Sequence, residues 1–92
     1  MSPDEAETIA LSALAWLLAQ EELTRVFLGA TGVSAADLRA GAADPEYLGA
    51  VLDFLLQDDD WVAGFCGETG LPFTRLAEAR AALPGGAQLH WT

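Results

Sequence analysis

Lysine and asparagine are absent from the 92-residue sequence, and arginine, its only strong base, occurs four times. Against these four bases stand 14 acids, so the formal net charge is −10. Binding to nucleic acid depends on basic side chains that neutralise phosphates, and attraction to anionic lipid depends on the same side chains. The composition therefore argues against nucleic-acid partners and membrane surfaces, whereas the net charge favours solubility.

Cysteine and histidine each occur once, as Cys66 and His90. A lone cysteine cannot form a disulfide within the chain. The first residues, MSPDEAE, are acidic where a secretory signal would be basic. The apolar stretch at residues 9–19 is much shorter than the roughly 20 residues that span a bilayer. We therefore expect a cytoplasmic protein without a membrane segment.

Catalytic side chains are scarce as well. The only histidine is in the C-terminal tail, and Cys66 takes an apolar position typical of a buried, unreactive thiol. The sequence has no GxGxxG motif, no phosphate-binding loop and no Cys or His pair at metal-ligand spacing. We expect no catalytic residues, no cofactor and no small-molecule ligand, so the protein is predicted not to be an enzyme.

The chain resembles itself at an offset of 38 residues. Residues 14–38 align without a gap to residues 52–76, with eight identities in 25 positions. The glycine and Thr-Gly matches carry more weight than the leucine matches, because leucine is common here. Self-similarity of this kind indicates two related structural units.

The pattern of each unit predicts three helices. The predicted fold class is therefore all-α, with about six helices in one compact bundle. The two units cover about residues 4–41 and 44–83 of a single domain, 1–86, which a short tail, 87–92, follows. Ser2-Pro3 and Asp44-Pro45 are typical helix starts, and Gly32 and Gly70 are typical helix ends. The third helix of the first unit is expected to begin at Ser34. The long first helices should pack on each other, since a unit of about 40 residues is too small to be stable alone.

Residues 29–42, GATGVSAADLRAGA, resemble the turn and recognition helix of a DNA-binding helix-turn-helix. The groove-facing positions of such a helix need Arg, Lys, Asn or Gln. Asp37 would repel DNA there, whereas the second copy offers Arg75 and Arg80. We interpret both turns as packed helix corners. A degenerate helix-turn-helix protein in transcription-linked regulation is the alternative.

Three consecutive aspartates, Asp58, Asp59 and Asp60, are the only candidate metal ligands. Carboxylate oxygens suit Mg²⁺ or Ca²⁺, but three adjacent residues at a helix start point in different directions. Acids in this position are explained by the exposed N–H groups and the dipole of the helix. No metal site is therefore expected.

The remaining functional hypothesis is a protein contact. Phe73 follows a proline at a helix start, where side chains are often exposed, and Trp91 could extend an aromatic patch there. Arg75 and Arg80 complete the candidate partner contacts. Trp16 and Trp61 lie among leucines at helical spacing, which favours core positions. We expect a non-catalytic cytoplasmic module that binds another protein or itself.

Residues 6–72, together with ARAALPGG at 79–86, resemble a family of short bacterial proteins known as domain of unknown function 3572. The resemblance covers nearly the whole chain apart from the tail. It implies a small all-helical protein with no established activity. No catalytic or binding residues are carried over from the family.

Overall fold

The computed structural model describes residues 1–32 and 40–84. This part of the chain contains five α-helices and no strand, which confirms the all-α prediction. The helices are α1 (Pro3–Ala19), α2 (Glu21–Thr31), α3 (Pro45–Leu55), α4 (Asp59–Thr69) and α5 (Phe73–Ala82). The predicted helix start at Ser34 with Asp37, and the tail with His90 and Trp91, lie outside the described residues.

Side-chain caps begin three of the helices, as the sequence predicts. Ser2 Oγ accepts from the backbone N–H of Glu5 at 3.2 Å, and Asp44 Oδ1 accepts from that of Glu46 at 3.0 Å. Asp58 Oδ1 accepts from the N–H of Asp60 at 2.8 Å. Each cap satisfies a donor that the first turn of a helix leaves without a partner.

Glycines in the left-handed conformation end α2 and α4. Gly32 has φ 73° and Gly70 has φ 76°, and their N–H groups donate to Leu28 and Cys66 respectively. A residue with a Cβ is strained at such a φ. The two helices also begin and end at positions 38 residues apart, since 21 and 31 become 59 and 69.

The core forms where α1 packs against α3 and α5, and α3 also contacts α5. The side chains on the inner face of α1 are unusually small, because three of the buried residues there are alanines. The residues of this face are Ala6, Ala10, Ala13, Leu14 and Leu17. The helices that begin at Pro3 and Pro45, α1 and α3, pack on each other as expected.

Aromatic rings join α2 and α4 to this core through α3. Phe27 meets Phe54 edge to face, with ring centroids 5.0 Å apart. On α4, Trp61 stacks on Phe54 at 4.8 Å. Aromatic pairs of this geometry add about 0.5–1.5 kcal/mol beyond the area that they bury.

An ion pair between Arg80 and Asp53 fastens α5 to α3. Arg80 Nε and Nη2 donate to the two oxygens of Asp53 at 2.5 and 2.8 Å. Gly49 leaves the space for this guanidinium, because an added Cβ would come within 2.8 Å of Arg80 Nη1. Only 7% of Arg80 is exposed, so its charge serves the fold and is poorly placed to meet a partner.

The same substitution at Gly67 and at Gly70 should change stability in opposite directions. Gly67 lies inside α4 with no atom within 4 Å of an added Cβ, so Gly67→Ala should stabilise by about 0.5–1 kcal/mol through helix propensity. Gly70→Ala should destabilise by about 1–2 kcal/mol, because alanine is strained in the left-handed conformation. Urea denaturation measures both free energies of unfolding. Stabilisation by both substitutions would contradict the assigned role of Gly70.

Candidate functional site

The surface around Phe73 has the exposure that the sequence predicts. Phe73 is 56% exposed at the first position of α5. Arg75 Nη2 donates to Glu5 Oε2 at 2.9 Å, and Arg75 Nη1 donates to Glu78 at 3.4 Å. Of the four predicted partner contacts, Phe73 is exposed, Arg75 is half-buried, Arg80 is buried, and Trp91 lies outside the described residues.

A shallow groove of about 350 Å³ lies where the start of α1 meets the start of α5. It is lined by Asp4, Glu5, Thr8, Ile9, Leu71 and Arg75. The ion pair between Glu5 and Arg75 occupies the charged part of this groove. This ion pair therefore joins α1 to α5 and leaves few free charged groups in the groove for a ligand.

Glu5 has its pKa lowered from the ordinary value of a glutamate. The largest cause is the hydrogen bond from the Arg75 guanidinium, and the helix cap at Ser2 lowers the pKa further. Both groups favour the ionised carboxylate. Glu5 is thus fixed as an anion at neutral pH by contacts within the fold.

A second concavity, a cleft of about 630 Å³, lies at the opposite end of α1. It lies where the last turn of α1 meets the first turns of α2 and α4. Its lining combines two tryptophans, three carboxylates and small or apolar side chains. These residues are Trp16, Ala19, Gln20, Glu21, Glu22, Leu23, Val26, Asp60 and Trp61.

Contacts with α4 fix the ring of Trp16. Its indole Nε1 donates to Glu68 Oε2 at 2.7 Å, and its ring meets Phe65 edge to face at 6.0 Å. Gly64 provides the space, since an added Cβ would lie 3.1 Å from Trp16 Cζ2. Trp16 is therefore held in one orientation as a wall of the cleft.

Trp61 forms the other aromatic part of the cleft. The cap residue Asp58 accepts from the backbone N–H of Trp61 at 3.4 Å, and Phe54 stacks on the indole. Both tryptophans pack against the core, as the sequence predicts, but both also remain partly exposed at the cleft. Tryptophan combines a large apolar surface with a polar edge, which suits it to binding surfaces.

The position of α2 completes the cleft. The chain leaves the helical conformation only at Gln20 before α2 begins at Glu21. The hydroxyl of Thr24 donates to the carbonyl of Leu17 at 2.8 Å, which ties the first turns of α2 to the end of α1. The exposed carboxylates of Glu21 and Glu22 are thereby brought to the rim.

The aspartate cluster does not form a metal site in the described part of the chain. The carboxylate of Asp58 accepts hydrogen bonds from the first turn of α4 and so caps that helix. Among the described residues, no group of three His, Cys, Asp or Glu side chains is arranged to hold a metal. Cys66 is half-buried, and this burial raises the pKa of its thiol. A raised pKa reduces the thiolate population on which nucleophilic reactivity depends.

Sequence reasoning missed the cleft because its parts were assigned separately. The sequence pattern assigns the aspartates at 58–60 to a helix start and the two tryptophans to the core. The sequence does contain a signal, since Trp61 directly follows the acidic run 58–60 and Trp16 lies five residues before the acidic pair at 21–22.

The fold and the cleft together define a small, acidic, all-α protein with an open aromatic surface. Residues 3–86 match the sequence model of the family described as protein of unknown function (DUF3572), and the chain belongs to this family. No curated protein and no solved structure matches the chain. In the described residues, no helix is long and apolar enough to cross a membrane.

The Glu5–Arg75 contact predicts a specific pH dependence. Because the pKa of Glu5 is lowered in the folded state, the pair stabilises the fold above the unfolded-state pKa, and this stabilisation is lost as the pH falls through the folded-state pKa. Arg75→Gln should return the pKa of Glu5 toward its ordinary value, as measured by NMR titration of the side-chain carboxyl carbon. Arg25→Gln, a matched control remote from Glu5 in sequence, should leave it unchanged. An unaltered pKa in Arg75→Gln would show that Arg75 is not the cause.

Proposed function

We propose that this protein is a non-catalytic protein-interaction module that binds its partner at the tryptophan-lined cleft. The observation that supports the proposal best is the partial exposure of Trp16 and Trp61 on one concave surface. Tryptophan is enriched among the residues that dominate binding energy at protein interfaces. Val26 adds an exposed apolar side chain to the same surface, since 46% of it is accessible.

The charge of the protein favours a basic partner. Three of the four arginines, Arg25, Arg75 and Arg80, lie in the described part of the chain, and each already contacts a carboxylate. The acids are far more numerous, with 14 in the sequence. Complementary charge accelerates encounter with a basic partner and discriminates against acidic ones.

The lining of the cleft supports binding more than catalysis. Its described side chains offer carboxylates, one amide and indole rings, but no histidine, cysteine, serine or lysine that could act as a nucleophile. General acid–base work by carboxylates alone requires at least one with a perturbed pKa in a dry site. The carboxylates here are exposed at the rim.

The alternative, a degenerate helix-turn-helix regulator, receives less support. It requires Arg75 and Arg80 on a surface that meets phosphate. Arg80 is buried against Asp53, and Arg75 is held by Glu5 and Glu78. Neither guanidinium is offered to a duplex in this arrangement.

We also propose a cytoplasmic location and an origin of the chain from two related three-helix units. The duplication is supported by the matching bounds of α2 and α4 and by the left-handed glycine after each. The scarcity of cysteine supports the location.

A pair of matched variants tests the proposed binding surface. Val26→Arg places a cation inside the cleft, where it should pair with the rim carboxylates and block a partner. Leu11→Arg makes the same charge change at an exposed apolar residue of α1 that does not line the cleft. In affinity purification from a native host with quantitative mass spectrometry, the wild type and Leu11→Arg should recover the same partner, and Val26→Arg should recover about tenfold less.

Two results would contradict the proposal. One is equal recovery of the partner by all three proteins, which would place the interface elsewhere. The other is recovery of chaperones and ribosomal proteins alone, which would leave no specific partner. Both arginine variants should first show wild-type far-UV circular dichroism and melting, so that lost binding is not a folding defect.

A further inference from the structure

Two carboxylates at the rim of the cleft have no basic partner among the described residues. Arg25 Nη2 lies 3.2 Å from Glu21 Oε1, and that pair is highly exposed. Within the described ranges, no arginine forms an ion pair with Glu22 or Asp60. These two residues are on different helices, α2 and α4, and both line the cleft.

Trp61 lines the same cleft with one face of its indole covered. Phe54 stacks on one face of Trp61, at a centroid distance of 4.8 Å, and Trp61 also lines the cleft. The part of its indole that faces the cleft is therefore not covered by Phe54. Trp16 is oriented by Glu68 and presents its own ring to the same space.

The electrostatic balance of the cleft favours a cation. The starts of α2 and α4 each contribute a partial positive charge of roughly half an elementary charge, which would favour an anion. Three full negative charges, on Glu21, Glu22 and Asp60, outweigh these two partial charges. Arg25 is the single described base that pairs with one of these carboxylates, Glu21. The side chain of Arg25 is itself 72% exposed.

From the geometry we infer that the cleft receives the side chain of an arginine in a basic segment of the partner. This inference rests on the proposed function and names the group recognised. The planar guanidinium stacks on aromatic rings and donates two parallel hydrogen bonds to a carboxylate. Its desolvation costs less free energy than that of an ammonium group, because it is more weakly hydrated. One guanidinium in the cleft can thus use both the tryptophans and the carboxylates of Glu22 and Asp60.

A titration of the whole chain with small probes tests the inference. The probe is N-acetyl-argininamide, and its neutral isostere N-acetyl-citrullinamide and the lysine analogue serve for comparison, all at constant ionic strength. The readout is the indole N–H signals of Trp16 and Trp61 in ¹⁵N NMR spectra. Saturable shifts of both signals are expected with the arginine probe, at an affinity at least about tenfold higher than for citrulline.

Matched substitutions separate the cleft from the general negative charge of the protein. Glu22 and Glu46 both occupy the second position of a helix, α2 and α3 respectively, and only Glu22 lines the cleft. Glu22→Gln should weaken binding of the arginine probe about threefold, and Glu22→Gln with Asp60→Asn about tenfold. Glu46→Gln makes the same change in net charge as Glu22→Gln and should leave the affinity unchanged.

The outcomes are distinguishable from those of the partner experiment. Equal affinity for the citrulline analogue, or equal loss in Glu22→Gln and Glu46→Gln, would overturn recognition of a cation in this cleft. Equal affinity for the lysine analogue would overturn the assignment to arginine. Absence of probe binding, while Val26→Arg still loses a partner that Leu11→Arg retains, would refute the arginine site and leave the proposed function standing. Probe binding without any specific partner would refute the proposed function alone.

Discussion

The close packing of α3 and α5 against α1 is the constraint on which the rest of the structure depends. It is made possible by Ala6, Ala10 and Ala13, which occupy successive turns on one face and are almost completely buried. The distance between packed helices is set by the side chains at their contact, so alanines permit a short one. The partly buried ion pair between Arg80 and Asp53 then joins the two helices that pack on α1.

The candidate site inherits its geometry from the same helix. Trp16 is one turn before the end of α1, and the hydrogen bond from Thr24 to the carbonyl of Leu17 fixes where α2 starts. From the other side, α4 reaches Trp16 through Glu68. The cleft is therefore a consequence of how two helices meet the end of α1, and a shift of α1 would change its walls and its rim together.

Local chemistry made much of the fold predictable. The caps at Ser2, Asp44 and Asp58 and the glycines at 32 and 70 fix helix bounds through groups within a few residues of each other. The cleft depends instead on contacts between distant residues, such as Trp16 with Glu68, which are 52 positions apart. Periodicity shows that a tryptophan lies on an apolar helix, but not which part of its ring the neighbouring helix leaves open. The burial of Arg80 was missed for the same reason, since its partner Asp53 is 27 positions away.

The most direct test of the central role of α1 is a comparison of Ala10→Leu with Ala15→Leu by urea denaturation. Ala10 is completely buried on the inner face, whereas Ala15 is exposed on the same helix, so the two variants share composition and helix propensity. Overpacking at Ala10 should lower the free energy of unfolding by about 1–3 kcal/mol, and Ala15→Leu should change it by less than about 0.5 kcal/mol. Equal effects of the two substitutions would contradict the account, because they would show that α3 and α5 do not depend on a small face of α1.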